Sequence, residues 1–336
     1  MKVVVCPDSY KGTMTAIEAA EAISTGVKKR WPGAEVILLP VGDGGEGTIC
    51  AIRSSLPDIE EISVETCDPL RRPITASYII SEGKTAFIES AAASGITLII
   101  SQERDIYRSD TYGTGLLIAD AFNRGVRDFT ICMGGTATCD AGYGAYEAIK
   151  GLPLESCSIT LLCDVDNPLC GPQGTASTFA PQKGAKPEDI PVLDSILRER
   201  TAEYKRLWGV DVSDERYSGA AGGLECMVMA CYGAIPVKGI EKVLELIKFK
   251  ERIKGADLII TGEGRADRTT LRGKAPKGIL DTAQKEGVPV VLIGGKVTDA
   301  DALVEAGFMK VLQATPATAD LSVKPTEYLT RSVENI

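Results

Sequence analysis

The sequence contains no histidine among its 336 residues. This absence excludes Ser-His-Asp catalysis, Cys-His catalysis and zinc sites built from histidine. A general base in this protein must therefore be a carboxylate, a lysine, a tyrosine or a cysteine. The P-loop pattern G-x-x-x-x-G-K-[ST] is absent as well, so any phosphate site must be built in another way.

The ten cysteines form no C-x-x-C pair, and several lie in apolar runs such as residues 129–133. Zinc ribbons and thioredoxin-like redox motifs depend on such pairs. Free cysteine behaves as a small hydrophobic residue when it is buried. The sequence therefore predicts buried, reduced thiols rather than disulfides or metal ligands.

Long apolar runs are also lacking, and the opening residues 1–6 contain no stretch of signal-peptide length. These features predict a cytoplasmic protein. The formal net charge of −9 argues against nucleic-acid and membrane partners, because an acidic surface repels phosphate backbones and anionic headgroups. A small anion can still bind in a local basic pocket.

The length predicts about two domains, and the order of the predicted elements divides the chain similarly. Strand and helix alternate at first, with a strand at 2–6, a helix at 16–29 and a strand at 35–39. Consecutive strands follow at 62–67, 74–80 and 85–89, which indicates a second domain with a mixed sheet. Further strands are predicted at 128–133, 158–163, 257–261, 289–293 and 308–312, and further helices at 190–207, 224–232, 275–286 and 299–306.

The strongest candidate site follows the predicted strand 257–261. The residues after this strand combine glycines with Glu263, Arg265, Asp267, Arg272 and Lys274. Glycines allow backbone amides to approach an anion, the basic side chains can neutralise phosphate, and the acids can hold Mg²⁺ or accept a proton. These are the parts of a phosphoryl-transfer site.

Two other strand ends carry polar residues. Asp8, Ser9 and Lys11 lie between the first strand and the first helix. The glycines at 42, 44 and 47 follow the second strand and match G-x-G-x-x-G, which leaves a dinucleotide-binding enzyme open. Asp43 and Glu46 occupy variable positions of that motif, where they suit Mg²⁺ or a substrate hydroxyl better than a pyrophosphate.

The glycine-rich turn 134–142 follows the predicted strand 128–133 and has the small residues of an anion-binding nest. Its candidate ligand contacts are Gly134, Gly135, Thr136, Thr138 and Asp140. Asp164 follows the next strand, 158–163.

Eight blocks of the sequence resemble those of the bacterial glycerate kinase family, in that family's order and over nearly the whole chain. They are CPDSYKG at 6–12, GDGGEGT at 42–48, IESAAASG at 88–95, GGTATCD at 134–140, CDVDNPL at 163–169, PQKGA at 181–185, GAAGG at 219–223 and TGEGR at 261–265. Two stretches depart from the family pattern. The connection near residue 150 is shorter than usual, and residues 268–270 read Arg-Thr-Thr.

The resemblance implies an α/β protein of two domains, with a mixed-sheet α/β domain inserted into a Rossmann-like parallel-sheet domain. The expected division is 1–60 with 241–336 for the Rossmann-like domain and 61–240 for the inserted one. It also implies phosphorylation of D-glycerate by ATP with Mg²⁺, at the 2-hydroxyl, by direct in-line transfer in a cleft between the domains.

Roles for the candidate residues follow from this implied reaction. Lys11, Asp43, Arg265 and Asp267 are the catalytic candidates, and Asp8, Ser9, Glu46 and Lys274 are the substrate-binding candidates. ATP is expected against the glycine-rich turn 134–142, through the five contacts named above. Asp164 and Glu263 are the candidate Mg²⁺ ligands.

Two alternatives remain open at this point: an NAD-dependent oxidoreductase that uses the 42–47 turn, and a non-catalytic relative that binds a small anion. The expected partner is a small-molecule substrate, with neither nucleic acid nor membrane, and a homo-oligomer is compatible with the sequence.

Overall fold

The structure is a computed structural model that describes residues 1–316, 318, 320 and 322–336. Its strands are β1 (Lys2–Val5), β2 (Glu35–Leu38), β3 (Ile59–Cys67), β4 (Pro73–Ser81), β5 (Thr85–Glu89), β6 (Asp128–Cys132), β7 (Ser158–Cys163), β8 (Ile235–Lys238), β9 (Leu258–Ala266), β10 (Val290–Val297) and β11 (Lys310–Gln313).

The α-helices are α1 (Ala16–Arg30), α2 (Thr48–Ile52), α3 (Ala91–Ser94), α4 (Tyr112–Asn123), α5 (Tyr143–Ile149), α6 (Thr175–Phe179), α7 (Asp189–Trp208), α8 (Leu224–Tyr232), α9 (Gly239–Leu246), α10 (Phe249–Arg252), α11 (Ala275–Lys285), α12 (Ala300–Glu305) and α13 (Pro325–Ser332).

The chain divides into two compact units. Unit 1 comprises Met1–Asp43, Cys50–Leu56 and Ile240–Ile336, and unit 2 comprises Gly44–Ile49 and Pro57–Gly239. The predicted α/β class, with a parallel sheet and a separate mixed sheet, is confirmed. The units differ from the predicted division in that residues 44–49 and 57–60 fall in unit 2 and residue 240 falls in unit 1.

Unit 1 is built on a parallel sheet of five strands in the order β11-β10-β9-β1-β2. The short first strand is fully buried from Val3 to Val5, as expected for a strand covered on both faces. Helix α1 begins at a capping box, in which the Thr15 side chain accepts from the Glu18 N–H and Glu18 accepts from Thr15 in return.

Unit 2 contains a mixed sheet of six strands in the order β3-β4-β5-β6-β7-β8. The pairs β3–β4 and β4–β5 are antiparallel, and β5 to β8 run parallel. The consecutive strands that the sequence predicts from residue 62 onward therefore form the antiparallel part of this sheet. A separate apolar core, which includes Phe129, Leu161 and Tyr204, packs within this unit.

Most elements lie within a few residues of their predicted bounds, but β9 differs. The sequence predicts that the strand stops at Thr261, whereas β9 continues through the polar segment to Ala266. The added residues pair with β10, with Lys296 opposite Arg265 and Val297 opposite Ala266. Tertiary pairing has overridden the low strand propensity of glycine and charged residues.

Helix α13 and strand β8 were missed in the sequence analysis. Leu329 and Val333 are fully buried in the unit 1 core beside residues of α1 such as Ile23. The amphipathic pattern of α13 is short, so it carries little signal by itself.

The thiol prediction is confirmed: all ten cysteines are free, eight of them are buried, and Cys50 is exposed. In the part of the chain that the structure describes, no helix has the length and apolar character needed to cross a membrane.

We expect Gly26→Val to destabilise unit 1, because a Cβ at Gly26 would lie 2.5 Å from the Thr330 carbonyl oxygen and 2.8 Å from the Val333 side chain. Overpacking of this kind costs about 1–3 kcal/mol. The measurement is urea unfolding followed by circular dichroism. Gly33→Ala is the matched control, because a Cβ there meets nothing within 4 Å. Equal unfolding midpoints for the two variants would contradict this packing.

Candidate functional site

The strand order of unit 1 changes direction between β1 and β9. From β1 the chain adds β2 on one side, and from β9 it adds β10 and β11 on the other. Ligands of open parallel sheets bind beyond the carboxyl ends of the strands at such a switch point. The residues that follow β1 and those at the end of β9 occupy this position.

Hydrogen bonds hold the segment after β1 against β9. The Cys6 N–H donates to the Ile260 carbonyl at 2.9 Å, and the Asp8 N–H donates to the Gly262 carbonyl at 2.9 Å. Thr261 Oγ1 donates to the Cys6 carbonyl at 2.9 Å. The backbone of Asp8 is therefore fixed beside Gly262, although the two residues are far apart in sequence.

Tyr10 fixes the segment after β1 to a second strand, β10. Its buried hydroxyl donates to the Ile293 carbonyl of β10 at 2.7 Å. Glycine is required at 262, because a Cβ there would lie 2.2 Å from the Tyr10 hydroxyl oxygen. The glycines of the 261–265 motif thus make room for the protein's own tyrosine in addition to any ligand.

The carboxylates at this edge of the sheet interact. Burial raises the pKa of Asp8 well above its usual value, and the negative charges of Asp43 and Glu263 raise it further. The Ser9 N–H donates to Asp8 Oδ1 at 2.6 Å and, together with the charge of Lys11, opposes this rise in pKa. The protonated form of Asp8 is therefore favoured by burial and by the two neighbouring acids.

Asp43 is only 7% exposed. It belongs to the segment after β2, which is tied to β1 by the Leu39 N–H donating to the Val5 carbonyl at 2.8 Å and by the Val41 N–H donating to the Pro7 carbonyl at 3.0 Å. The ends of three neighbouring strands, β9, β1 and β2, thus bring acidic residues to one edge of the unit 1 sheet.

Glu263 already has partners for both carboxylate oxygens. Thr270 Oγ1 donates to Oε1 at 2.5 Å, and Lys274 Nζ donates to Oε2 at 3.3 Å. Burial raises the pKa of Glu263, and these two partners oppose the rise. Glu263 therefore orients Lys274, the candidate substrate cation.

The fit to Mg²⁺ depends on these donor atoms. Among the described residues, no group of three or more histidine, cysteine, aspartate or glutamate side chains converges as a metal site. Mg²⁺ at kinase sites is commonly held by one or two carboxylates together with substrate phosphates. The buried carboxyl of Asp43 fits that role, as one ligand of a site that the nucleotide completes.

Asp267 has the contacts of a helix cap. Its Oδ1 accepts from the Thr269 N–H at 2.8 Å, at the start of the 3₁₀ segment Arg268–Arg272. Its Oδ2 pairs with Arg265 Nε at 3.0 Å, while the Arg265 side chain stays 67% exposed. The hydrogen bonds to Thr269 lower the pKa of Asp267. Asp267 thus orients the Arg265 guanidinium and stays ionised.

The remaining predicted residues belong to unit 2. In the glycine-rich turn 134–142, Asp140 accepts from the Thr111 N–H and Oγ1 and from the N–H groups of Gly142 and Gly144, at 2.8–3.2 Å. These four bonds use the acceptor capacity of its carboxylate. Its contacts therefore shape the turn.

A carboxylate already occupies the amides at the start of α2, where a dinucleotide loop would bind a pyrophosphate. The N–H groups of Gly47 and Ile49 donate to the Glu89 carboxylate at 3.0 and 2.8 Å, and helix α2 has only five residues. Glu46 accepts from Thr97 Oγ1 at 3.0 Å. A pyrophosphate needs those amides, so this geometry speaks against the NAD-dependent alternative.

Two buried polar residues of unit 2 were missed in the sequence analysis. Glu225, in the first turn of α8, is fully buried and accepts a hydrogen bond from the Cys163 thiol. Glu225 Oε2 has no hydrogen-bond partner among the residues that the structure describes, and burial raises the pKa of Glu225 well above its usual value. Lys183 is 5% exposed and donates to two groups of the glycine-rich turn. The single glutamate in the apolar run of α8 is a sequence signal for the burial of Glu225. Nothing in the sequence indicates that Lys183 is buried.

The predicted residues therefore form two groups. Asp8, Ser9, Lys11, Asp43, Glu263, Arg265, Asp267 and Lys274 belong to unit 1, whereas Glu46, Gly134, Gly135, Thr136, Thr138, Asp140 and Asp164 belong to unit 2. The two predicted metal ligands, Asp164 and Glu263, lie in different units, and their joint role stays a prediction.

The sequence matches the glycerate kinase family over residues 3–152 and 149–336. The two matched stretches meet near residue 150, where the sequence has its shortened connection.

Among curated relatives, the glycerate 2-kinase of Escherichia coli K12 is 39% identical, covering 89% of this chain and 86% of the relative. The glycerate kinase of Bacillus subtilis 168 is 34% identical over 100% of this chain and 97% of its own length. A crystal structure from Salmonella typhimurium LT2, named as a candidate glycerate kinase 2, has a TM-score of 0.83 and 34% identity, covering 100% of this chain and 96% of that one. The chain therefore belongs to the glycerate kinase family.

Proposed function

We propose that this protein transfers the γ-phosphoryl group of ATP to the 2-hydroxyl of D-glycerate, giving 2-phosphoglycerate. Membership of the glycerate kinase family supports the reaction class. The observation that carries the proposal is the set of interacting carboxyls at the switch point of unit 1, with Lys11, Arg265 and Lys274 at the same edge.

Glycerate presents one carboxylate and two hydroxyl groups. The cations Lys11 and Arg265 provide charge for the carboxylate or for the phosphoryl group in transfer, and Lys274, oriented by Glu263, adds a third donor. Asp43 and Asp8 are the acceptors for the attacking hydroxyl. Phosphoryl transfer depends mainly on positioning and on charge stabilisation, which this set of side chains can provide.

Asp8 is the best candidate to take up the proton of that hydroxyl. Its raised pKa brings it closer to neutrality, where general bases are most effective. Asp43 keeps that pKa high through its negative charge, and Asp267 keeps Arg265 oriented through their ion pair.

ATP is assigned to the glycine-rich turn 134–142 of unit 2, with Gly134, Gly135, Thr136 and Thr138 as contacts and Asp140 as the residue that shapes the turn. Mg²⁺ would neutralise phosphate charge when it is bound, with carboxylates such as Asp164 or Asp43 as protein ligands. The cleft between domains that the sequence predicts stays a prediction.

The decisive assay measures ADP release from Mg-ATP with D-glycerate, and phosphorus NMR then assigns the phosphorylated hydroxyl. We expect glycerate-dependent ADP release and a single product phosphorylated at the 2-position. ADP release equal to that of a blank without glycerate would refute the kinase proposal. A 3-phosphorylated product would refute only the assignment of the hydroxyl.

Lys11→Ala and Asp43→Asn should each lower kcat by roughly a hundredfold or more, because contacts that strengthen in the transition state are lost. Asp267→Asn should also lose most activity, through misplacement of Arg265. Steady-state kinetics on variants with wild-type circular dichroism tests this.

Two variants serve as controls for that series. Asp301→Asn removes the charge of an exposed carboxylate in unit 1, and Arg198→Ala removes one partner of an exposed ion pair with Asp194 at 2.9 Å. Surface pairs of this kind contribute only about 0–1 kcal/mol to stability, so both controls should keep wild-type turnover. Wild-type kcat and KM in the Lys11 and Asp43 variants would exclude this edge of the sheet as the site.

The pH dependence of kcat/KM should report Asp8. Only its ionised form accepts a proton, so activity falls as the pH drops through the raised pKa of Asp8. Because the charge of Asp43 contributes to that rise, Asp43→Asn should move the acidic limb of the residual activity toward lower pH. An acidic limb at the same pH in both proteins would assign the base to another group.

A further inference from the structure

Lys183 is a buried cation that forms no ion pair within the described part of the chain, although the negative charge of Asp140 interacts with it favourably. It lies in the 3₁₀ segment Pro181–Lys183 of unit 2 and is 5% exposed. Within the described residues, its ammonium donates to Thr136 Oγ1 at 3.1 Å and to the Thr138 carbonyl at 2.7 Å, and it forms no ion pair. Two of its three N–H bonds are therefore accounted for.

An unpaired buried charge is costly, and proteins normally pair such a charge or bind an ion beside it. Burial lowers the pKa of Lys183 to about 8, which reflects that cost. Both of its hydrogen-bond acceptors belong to the glycine-rich turn 134–142. This positive charge, which Asp140 offsets only in part, is thus held against the turn by Thr136 and Thr138.

The same turn has amides that are available to an anion. The N–H groups of Gly134 and Ala137 donate to the carbonyls of Gly44 and Ser94, whereas those of Gly135 and Thr136 donate to nothing among the described residues. Gly135 has a φ of 85°, in the region that favours glycine. Backbone N–H groups without an acceptor, next to a buried cation, are typical of a phosphate site.

We propose that Lys183 is a positioning residue of the nucleotide site, a buried counter-charge that orders the 134–138 backbone for the phosphates of ATP. This inference rests on the proposed kinase function and adds to it a residue that supplies affinity for the nucleotide rather than for glycerate. Lys183 acts through Thr136 and Thr138.

The central experiment measures the Kd of a nonhydrolysable ATP analogue with Mg²⁺ for Lys183→Met, by calorimetry. Loss of the charge should weaken nucleotide binding by roughly 10- to 100-fold, the range for hydrogen bonds to charged groups. In steady state the KM for ATP should rise while the KM for glycerate stays within about twofold. Lys186→Met, an exposed lysine three positions further on, is the matched control and should bind as the wild type does.

A second arm uses the wild-type protein and does not depend on the folding of a variant. The ionised form of Lys183 favours phosphate, so affinity should fall as the pH rises above about 8, with proton uptake on binding. The charged or titratable groups nearest to Lys183 are Cys139, Asp140 and Arg104, the last of which packs against Gly184. Burial raises the pKa of Cys139 to about 12, which places its titration above this range. Lys183→Arg, which stays charged, should remove the fall in affinity.

The outcomes separate the two proposals. Unchanged nucleotide affinity in Lys183→Met, or a wild-type affinity that is flat from pH 7.5 to 9.5, overturns the role of Lys183 even when the wild type phosphorylates glycerate. A raised KM for glycerate alone reassigns Lys183 to the acceptor substrate and overturns the inference too. Absence of glycerate-dependent ADP release from the wild type refutes the kinase proposal, while the binding measurements still decide the role of Lys183.

Discussion

The parallel pairing of β1 with β9 is the constraint on which the rest of unit 1 depends. It sets Val3 opposite Leu258 and Val5 opposite Ile260, so two segments separated by some 250 residues end at the same edge of the sheet. The buried apolar side chains of both strands fix this register, because a shift along the strand would expose them. That pairing sets the positions of Asp8, Tyr10 and Glu263.

The sequence predicts the positions of the candidate residues better than their roles, and the pairing of β1 with β9 explains why. Runs such as Val3–Val5 and Leu258–Ile260 have the apolar character of buried strands, and polar residues after such strands are readily found. The length of β9 could not be predicted, because its last residues are held by β10 and by Tyr10 rather than by their own propensity. Asp267 and Asp140 show a similar limit: a carboxylate that caps a turn and one that binds a ligand look alike in sequence.

Burial of polar groups was the least predictable feature. Neither the burial of Lys183 nor its contact with Thr136 has a local signal, because each depends on packing within unit 2. The three buried side-chain atoms without hydrogen-bond partners among the described residues, Ser90 Oγ, Arg104 Nε and Glu225 Oε2, also belong to this unit. Native structures leave few such atoms.

Helix α13 has a consequence for synthesis on the ribosome. Unit 2 consists mainly of the continuous segment Pro57–Gly239, whereas unit 1 needs β9, β10 and the buried Leu329 and Val333 to complete its core. Domains fold largely as units while the chain emerges. Unit 2 can therefore fold first. The apolar surface of β1 and α1 stays uncovered until about 300 further residues have been made, from the end of α1 at Arg30 to Leu329, and chaperones can bind it during that period.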